Sequence, residues 1–226
     1  MNRTMSIVKL HFKSRLLLFF LPWFITLFSF FINLILCFII HSQTYSGSVA
    51  TVYLYMLIIG IFFLRGAFPF AIGFSVRRTD FFVGTAMTIL IINAVNALIL
   101  SLLSLIENLT DSWGVNLHFF HLPYLDASPA IGQFWIDFVI LLHLCFLGWL
   151  ISSLFQRFGR GGLLIFFAAL FIFCSVAAIL CTYFNKWIPI FTWFFHHSAL
   201  QLSWWLIPAI VVYGIVTYLL LRRATV

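Results

Sequence analysis

The segment Leu16–Ile40, LLLFFLPWFITLFSFFINLILCFII, runs without one charged side chain. At about 1.5 Å of helical rise per residue, a run of this length crosses a hydrocarbon layer of about 30 Å. Such runs recur along the chain, and they restrict its possible folds more than any motif does. About six can be drawn: Leu16–Ile40, Ala50–Phe70, Phe81–Ile106, Phe134–Phe155, Leu163–Phe184 and Trp204–Leu221. Backbone polar groups in lipid must be satisfied within their own segment, which a helix achieves. A membrane barrel would need short alternating segments instead, and the sequence has none. The chain is 64% hydrophobic and 8% charged, against roughly 25% charged in a soluble domain. The expectation is an all-α integral membrane protein, one transmembrane domain over residues 1–226. A cleaved signal peptide is not expected, because Leu16–Ile40 is longer than the roughly 7–15 apolar residues of such a leader.

The basic residues set an orientation. Arg3, Lys9, Lys13 and Arg15 precede the first run, and Arg77 and Arg78 follow the second. Arg157 and Arg160 follow the fourth, and Arg222 and Arg223 follow the sixth. With six spans all four groups fall on one side. The other side holds Lys186 as its only strong base, with Glu107, Asp111 and Asp126. The positive-inside rule then places both termini in the cytoplasm of a multi-pass protein, expected in the cell membrane. It also accounts for the net charge of +7 as a topology signal and an attraction to anionic membrane lipid, with no nucleic-acid partner.

Two stretches depart from plain rods. Met5–Arg15, MSIVKLHFKSR, mixes apolar residues with bases and predicts an interfacial helix ahead of the first span. Asn185–Ser203, NKWIPIFTWFFHHSALQLS, carries Pro189 and a double histidine and predicts a broken outer segment between helices 5 and 6. FGRGG (Phe158–Gly162) lacks the lysine and hydroxyl of a nucleotide loop and reads as a tight inner turn. Cys37, Cys145, Cys174 and Cys181 all lie in apolar runs without zinc spacing and read as small hydrophobes.

Between the second and third runs lies a polar knot, FPFAIGFSVRRTDFFVGTAM (Phe68–Met87). Pro69 and Gly73 weaken the preceding helix. Ser75 and Thr79 are N-cap residue types, and Asp80 suits a helix N-terminus. From these residues the knot is either a plain positive-inside hairpin or an interaction surface, since arginines and aromatics anchor protein interfaces.

The wider segment RGAFPFAIGFSVRRTDFFVGTAM (Arg65–Met87) resembles the connection between the second and third spans in permease subunits of ABC-2-type ABC transporters. The six-span layout, the inner termini and the broken outer segment resemble that family too. The resemblance implies a transport subunit, more often an exporter, with a coupling helix that docks into a separate P-loop ATPase. Its contact candidates would be Gly73, Arg77, Arg78, Asp80, Phe81 and Phe82. It further implies a second permease subunit, identical or sister, and ATP with Mg bound by the ATPase; no cofactor is expected in this chain. The chain itself has no GxxxxGK[ST] sequence.

Polar residues inside the runs have two readings each. Arg65, near the inner end of span two, can snorkel to headgroups or pair and line a cavity. Asn33, Asn93, Asn96 and His143 can bind helices together or line a pathway. Asn93 and Asn96 are three apart and share a helix face. His118, His121, His196 and His197, with Asp111 and Asp126, are outer polar groups whose spacing fits no metal motif, so no metal is expected. An intramembrane enzyme would need clustered groups at one depth; there is no HExxH, no GxSG and no carboxylate pair within a span. Asp137 and His143 are six apart, on different helix faces. No enzyme is expected, and the alternative to a permease is a non-catalytic assembly, immunity or sensor protein without an ATPase.

Overall fold

A computed structural model describes residues 3–13, 16–40, 44–65, 67–121 and 130–223. These form α1 (Arg3–Phe12), α2 (Leu21–Ile40, entered through a π-helical turn, Leu16–Phe20), α3 (Ala50–Arg65), α4 (Ala67–Gly73), α5 (Arg78–Leu109), α6 (Ala130–Tyr183), α7 (Trp187–His196) and α8 (Ala199–Arg222). A two-residue parallel pair joins β1 (Thr44–Tyr45) to β2 (Leu117–His118). Among the described residues, five helical stretches are long and apolar enough to cross a membrane: Leu18–Ile40, Gly47–Gly73, Arg78–Leu109, Ala130–Tyr183 and Ala199–Arg222.

The fourth of these, α6, is 54 residues, about 80 Å if straight, far more than a bilayer core needs. It is not straight. Gly159 has φ 67° and ψ −165°, outside any helix, and in a region that only glycine enters without strain. A Cβ at Gly162 would collide with that of Phe158, so the chain also doubles back tightly there. The expected turn in FGRGG coincides with this break. It divides α6 into arms 130–158 and 160–183, over the fourth and fifth apolar runs.

Side-chain contacts fix the directions. Trp135 meets Trp204 at 4.9 Å, and Leu150 and Leu154 meet Leu220, so the first arm of α6 runs parallel to α8. Phe82 stacks on Trp149 at 4.9 Å and Arg78 reaches the end of α8, so α5 runs antiparallel to both. The first arm crosses α3 at a pair of glycines: a Cβ on Gly60 would strike the Cys145 carbonyl, and one on Gly148 the Leu57 carbonyl. That contact is closed to any larger residue on either helix. Helix α2 lies beside α5 through Trp23–Asn96 and packs on the turn that follows α5 through Phe30–Trp113.

One end of the bundle therefore gathers α1, the α4–α5 elbow, the Gly159 turn and the last turn of α8. With them come Lys9, Lys13, Arg77, Arg78, Arg157, Arg160, Arg222 and Arg223. The other end holds β1, β2, the segment 107–121 and α7. Arg15, Asp126, Pro123 and Pro129 lie outside the described residues.

The burial pattern reverses that of a water-soluble protein. Phe24, Phe28, Phe38, Phe171, Phe173 and Phe195 are exposed, while Asn93, Asn96, Glu107 and Asp137 are buried. The core-facing stripe of α5 combines large apolar residues (Phe81, Ile89, Ile92, Leu100) with small or polar ones (Gly84, Thr85, Thr88, Asn93, Asn96, Ser101, Ser104), and the latter are common where helices associate within lipid. The second arm of α6 and all of α7 are apolar and exposed along nearly their whole length.

Helix α1 is more firmly seated than an interfacial helix needs to be. Ile7, Val8 and His11 are buried, with Ile7 against Gly84, where an added Cβ would lie 2.8 Å away. Its outer stripe, Met5, Lys9 and Lys13, remains exposed.

Candidate functional site

The elbow at the basic end begins where α4 stops. The amide of Val76 donates to the Ala71 carbonyl (3.1 Å) and that of Ser75 to Ile72 (2.9 Å). This is a Schellman closure with Ser75 at the left-handed position, φ 56°. Gly73 is exposed, one residue before the helix cap. Neither Ser75 nor Thr79 caps α5, contrary to expectation; its N-cap is Arg77, in extended backbone and without a side-chain hydrogen bond. Ser75 is instead the last element of the preceding helix. Asp80 does sit in the first turn of α5, where the helix dipole favours it.

The six elbow residues separate into two groups. Arg77 and Gly73 are exposed, and Asp80 is half-buried. Arg78 is turned inward: Nη1 donates to the carbonyls of Leu221 (3.3 Å) and Arg222 (2.7 Å), the unsatisfied end of α8. Phe81 is fully buried, edge-on to Phe68 at 5.3 Å. Phe82 is half-buried between Trp149 and Tyr218. The aromatic side chains presented outward are Phe70 and Phe74, 4.7 Å apart and 52% and 70% exposed. The sequence pattern pointed to the Phe81–Phe82 pair, and the phase of α5 turns that pair inward.

Of the asparagines in the apolar runs, Asn96 bonds across to another helix, while Asn33 and Asn93 bond back to their own. Trp23 donates its indole N–H to Asn96 Oδ1 at 2.8 Å. Asn96 and Asn93 each donate back to their own helix, at Ile92 and Ile89. Asn33 does the same at Ser29. His143 packs beside Tyr213 at 5.3 Å. Two atoms in this group, Asn93 Oδ1 and His143 Nδ1, are buried without a hydrogen-bond partner. Arg65 closes α3; its side chain lies outside the described residues. Asp137 faces α3, taking a 2.6 Å hydrogen bond from Tyr53 and weaker ones from Gln133. His143 faces α8, so the two do occupy different faces.

The most heavily bonded side chain is one that the sequence marked only as an outer acid. Glu107 is fully buried. Its carboxylate accepts the backbone N–H groups of Phe119 (3.1 Å), Phe120 (2.7 Å) and His121 (3.2 Å), and the indole of Trp113 (3.1 Å). His118 Nδ1 lies 3.8 Å away. The intervening turn is left-handed at Asp111, Ser112, Trp113 and Gly114, with φ from 52° to 70°, a conformation costing roughly 1–2 kcal/mol per non-glycine residue. Tyr45 stacks on His118 at 4.6 Å and carries the clasp to β1. One signal was available: a carboxylate in the last turn of a helix opposes the dipole and calls for a donor nearby. His196 and His197 sit apart on α7, His197 against Trp193 at 4.3 Å. Among the described residues no three His, Cys, Asp or Glu side chains group as metal ligands.

His11 was also not singled out. Its Nε2 lies 3.1 Å from Thr85 Oγ1, with Phe63 edge-on at 4.8 Å. Burial lowers its pKa from 6.5 to about 4, so the ring is neutral at pH 7.

Compared with known proteins, the chain matches no family model, no curated protein and no solved structure.

Proposed function

We propose that this chain is the permease subunit of an ATP-driven transporter of the ABC-2 type. It would be a multi-pass protein of the cell membrane with six crossings, the two arms of α6 counting as two. The basic end would face the cytoplasm, with a separate P-loop ATPase beneath it that binds ATP and Mg. A second permease subunit, identical or sister, would complete the route, and export is the favoured direction. The chain supplies no reaction chemistry in this reading. It offers two arrangements of a helix bundle that the ATPase drives between.

The observation that carries the reading is the elbow. It joins a broken helix to a long one at the basic end, and leaves Arg77 and Phe74 outward, with Asp80 half-buried in the first turn of α5, while Arg78, Phe81 and Phe82 secure its base. A guanidinium that can fork to a carboxylate, beside an exposed phenyl ring, is the kind of anchor that fills a protein groove. The coupling contact is therefore assigned to Gly73, Phe74, Arg77 and Asp80, with Arg78, Phe81 and Phe82 as positioning residues. Asn93 and His143, each with a buried atom that lacks a hydrogen-bond partner, would be candidate contacts for a passing solute if α5 and α6 separate.

The test is purification of the tagged chain from its native membrane. An ATPase should accompany the wild type, and Arg77→Glu with Phe74→Ala should remove it or abolish stimulated ATP hydrolysis while the chain still inserts. If no ATPase accompanies the wild type, the chain is a membrane factor that acts without one.

A further inference from the structure

A cavity of about 480 Å³ opens between α1, the π-helical turn and α3, within the roughly 300–1,000 Å³ of ligand sites. Leu10 and Lys13 wall it on the α1 side, Leu18 on the turn, and Tyr55, Phe62 and Phe70 along α3 and α4. From Tyr55 to Phe63, its lining residues on α3, the groove follows that helix for about 12 Å at 1.5 Å per residue, close to one leaflet of a hydrocarbon core of about 30 Å. It is thus about one leaflet deep, and it starts at the basic end.

Its charge is one-sided. Lys13 is the ammonium on the rim, and no acidic side chain is among the described residues that line it. Lys9 does not line the groove; it lies one turn earlier on the same exposed stripe and adds a second positive charge near its mouth. Helix α1 is held against α5 by Ile7 at Gly84 and by His11 at Thr85, and His11 also forms part of the groove wall.

We propose that this groove binds one acyl chain of an anionic phospholipid, with the phosphate held by Lys13 and Lys9. A slot about one leaflet deep, lined mainly by apolar side chains with His11 and Tyr55 among them, and carrying Lys13 at its rim with Lys9 one turn away, is complementary to that molecule. A zwitterionic lipid would leave the two ammonium groups without a net counter-charge. The inference stands apart from the permease reading and needs only a bilayer whose anionic leaflet meets the basic end.

The experiment uses the full chain in vesicles of equal phosphatidylglycerol and phosphatidylcholine, with a diazirine on the acyl chain of one lipid or the other. Phosphatidylglycerol adducts should concentrate in 55–70, above the exposed face of α2, and exceed phosphatidylcholine adducts there. Lys9→Gln with Lys13→Gln should reduce that preference roughly fivefold per lysine, the equivalent of about 1 kcal/mol for each basic group at an anionic surface. Ile58→Trp, which fills the groove from an exposed position on α3, should lower labelling of 55–70 by both lipids. Equal labelling by the two lipids, a preference unchanged in the lysine variant, or labelling of 55–70 no stronger than that of α2 would each overturn the proposal.

Discussion

The two ends of the bundle treat their polar groups in opposite ways. At the acidic end, Glu107 draws three backbone amides, an indole and a histidine onto one carboxylate. A left-handed turn and a short β pair are built around that centre. At the basic end the turn that ends α4 closes through backbone bonds, and Arg78 adds side-chain bonds from the elbow to the end of α8. The outward residues of the elbow, Arg77 and Phe74, stay exposed. One end is over-determined from within, the other is left with groups that a partner could satisfy. Under the proposed permease reading, the driven end would have to accept a second protein while the far end held its shape.

The sharpest way to break the comparison is at the clasp. Glu107→Ala leaves three buried amides and an indole without an acceptor and frees a strained turn. The expected loss is about 3–5 kcal/mol, as for other buried charged networks that lose one partner. Thermal unfolding in detergent, read beside protease cutting within 110–121, checks it. A loss below about 1 kcal/mol would mean that the acidic end is no more rigid than the elbow.

The second prediction concerns how α1 is attached to the basic end. With a folded pKa of about 4 and a usual value of 6.5, His11 binds a proton more readily when α1 is undocked. Docking is therefore unaffected above about pH 6.5 and weakens as pH falls toward 4. At pH 5 the difference is about 1.5 pH units, or roughly 2 kcal/mol. Accessibility of a cysteine at Ser6 should rise between pH 7 and pH 5, and in His11→Gln it should be independent of pH.

What was legible in the sequence follows the same division. Helix positions and the Gly159 break were readable, because length, hydropathy and a glycine-rich turn are local properties. The collection of arginines at one end was readable too, because it depends only on how many times the chain reverses. The inward turn of Phe81 was not. It depends on α5 starting at Arg78, which places Phe81 in phase with Thr85, Thr88, Ile92 and Asn96 on the core stripe. Glu107 was hidden for another reason: its donors come from residues 12 to 14 positions later, through a turn that no periodicity marks. His11 carried no signal of its own, since its buried, neutral state depends on contact with Phe63 of α3 and Thr85 of α5.

Arg78 and Arg77 test whether the elbow has a fixed base and a free tip. Arg78→Ala removes a charged donor from the last carbonyls of α8 and should cost about 1 kcal/mol. Arg77→Ala touches no partner among the described residues and should stay within about 0.5 kcal/mol. Equal losses from the two would erase the distinction between base and tip.

The smallest effect has the opposite sign. Ser75 closes α4 at φ 56°, where a side chain meets the backbone and glycine does not. The substitution Ser75→Gly relieves that conflict, but it also gives the undocked chain more freedom, which offsets part of the gain. A net stabilisation of about 0.5 kcal/mol is expected, seen as a small rise in melting temperature. Gly114→Ala, at φ 70° in the left-handed turn of the acidic end, reverses the same backbone preference and should lower stability by about 1 kcal/mol. A stabilising glycine in the elbow and a required glycine in the clasp would locate backbone strain at both ends. Only in the clasp does a buried carboxylate hold that strain in place, and that makes the elbow the end with room to move.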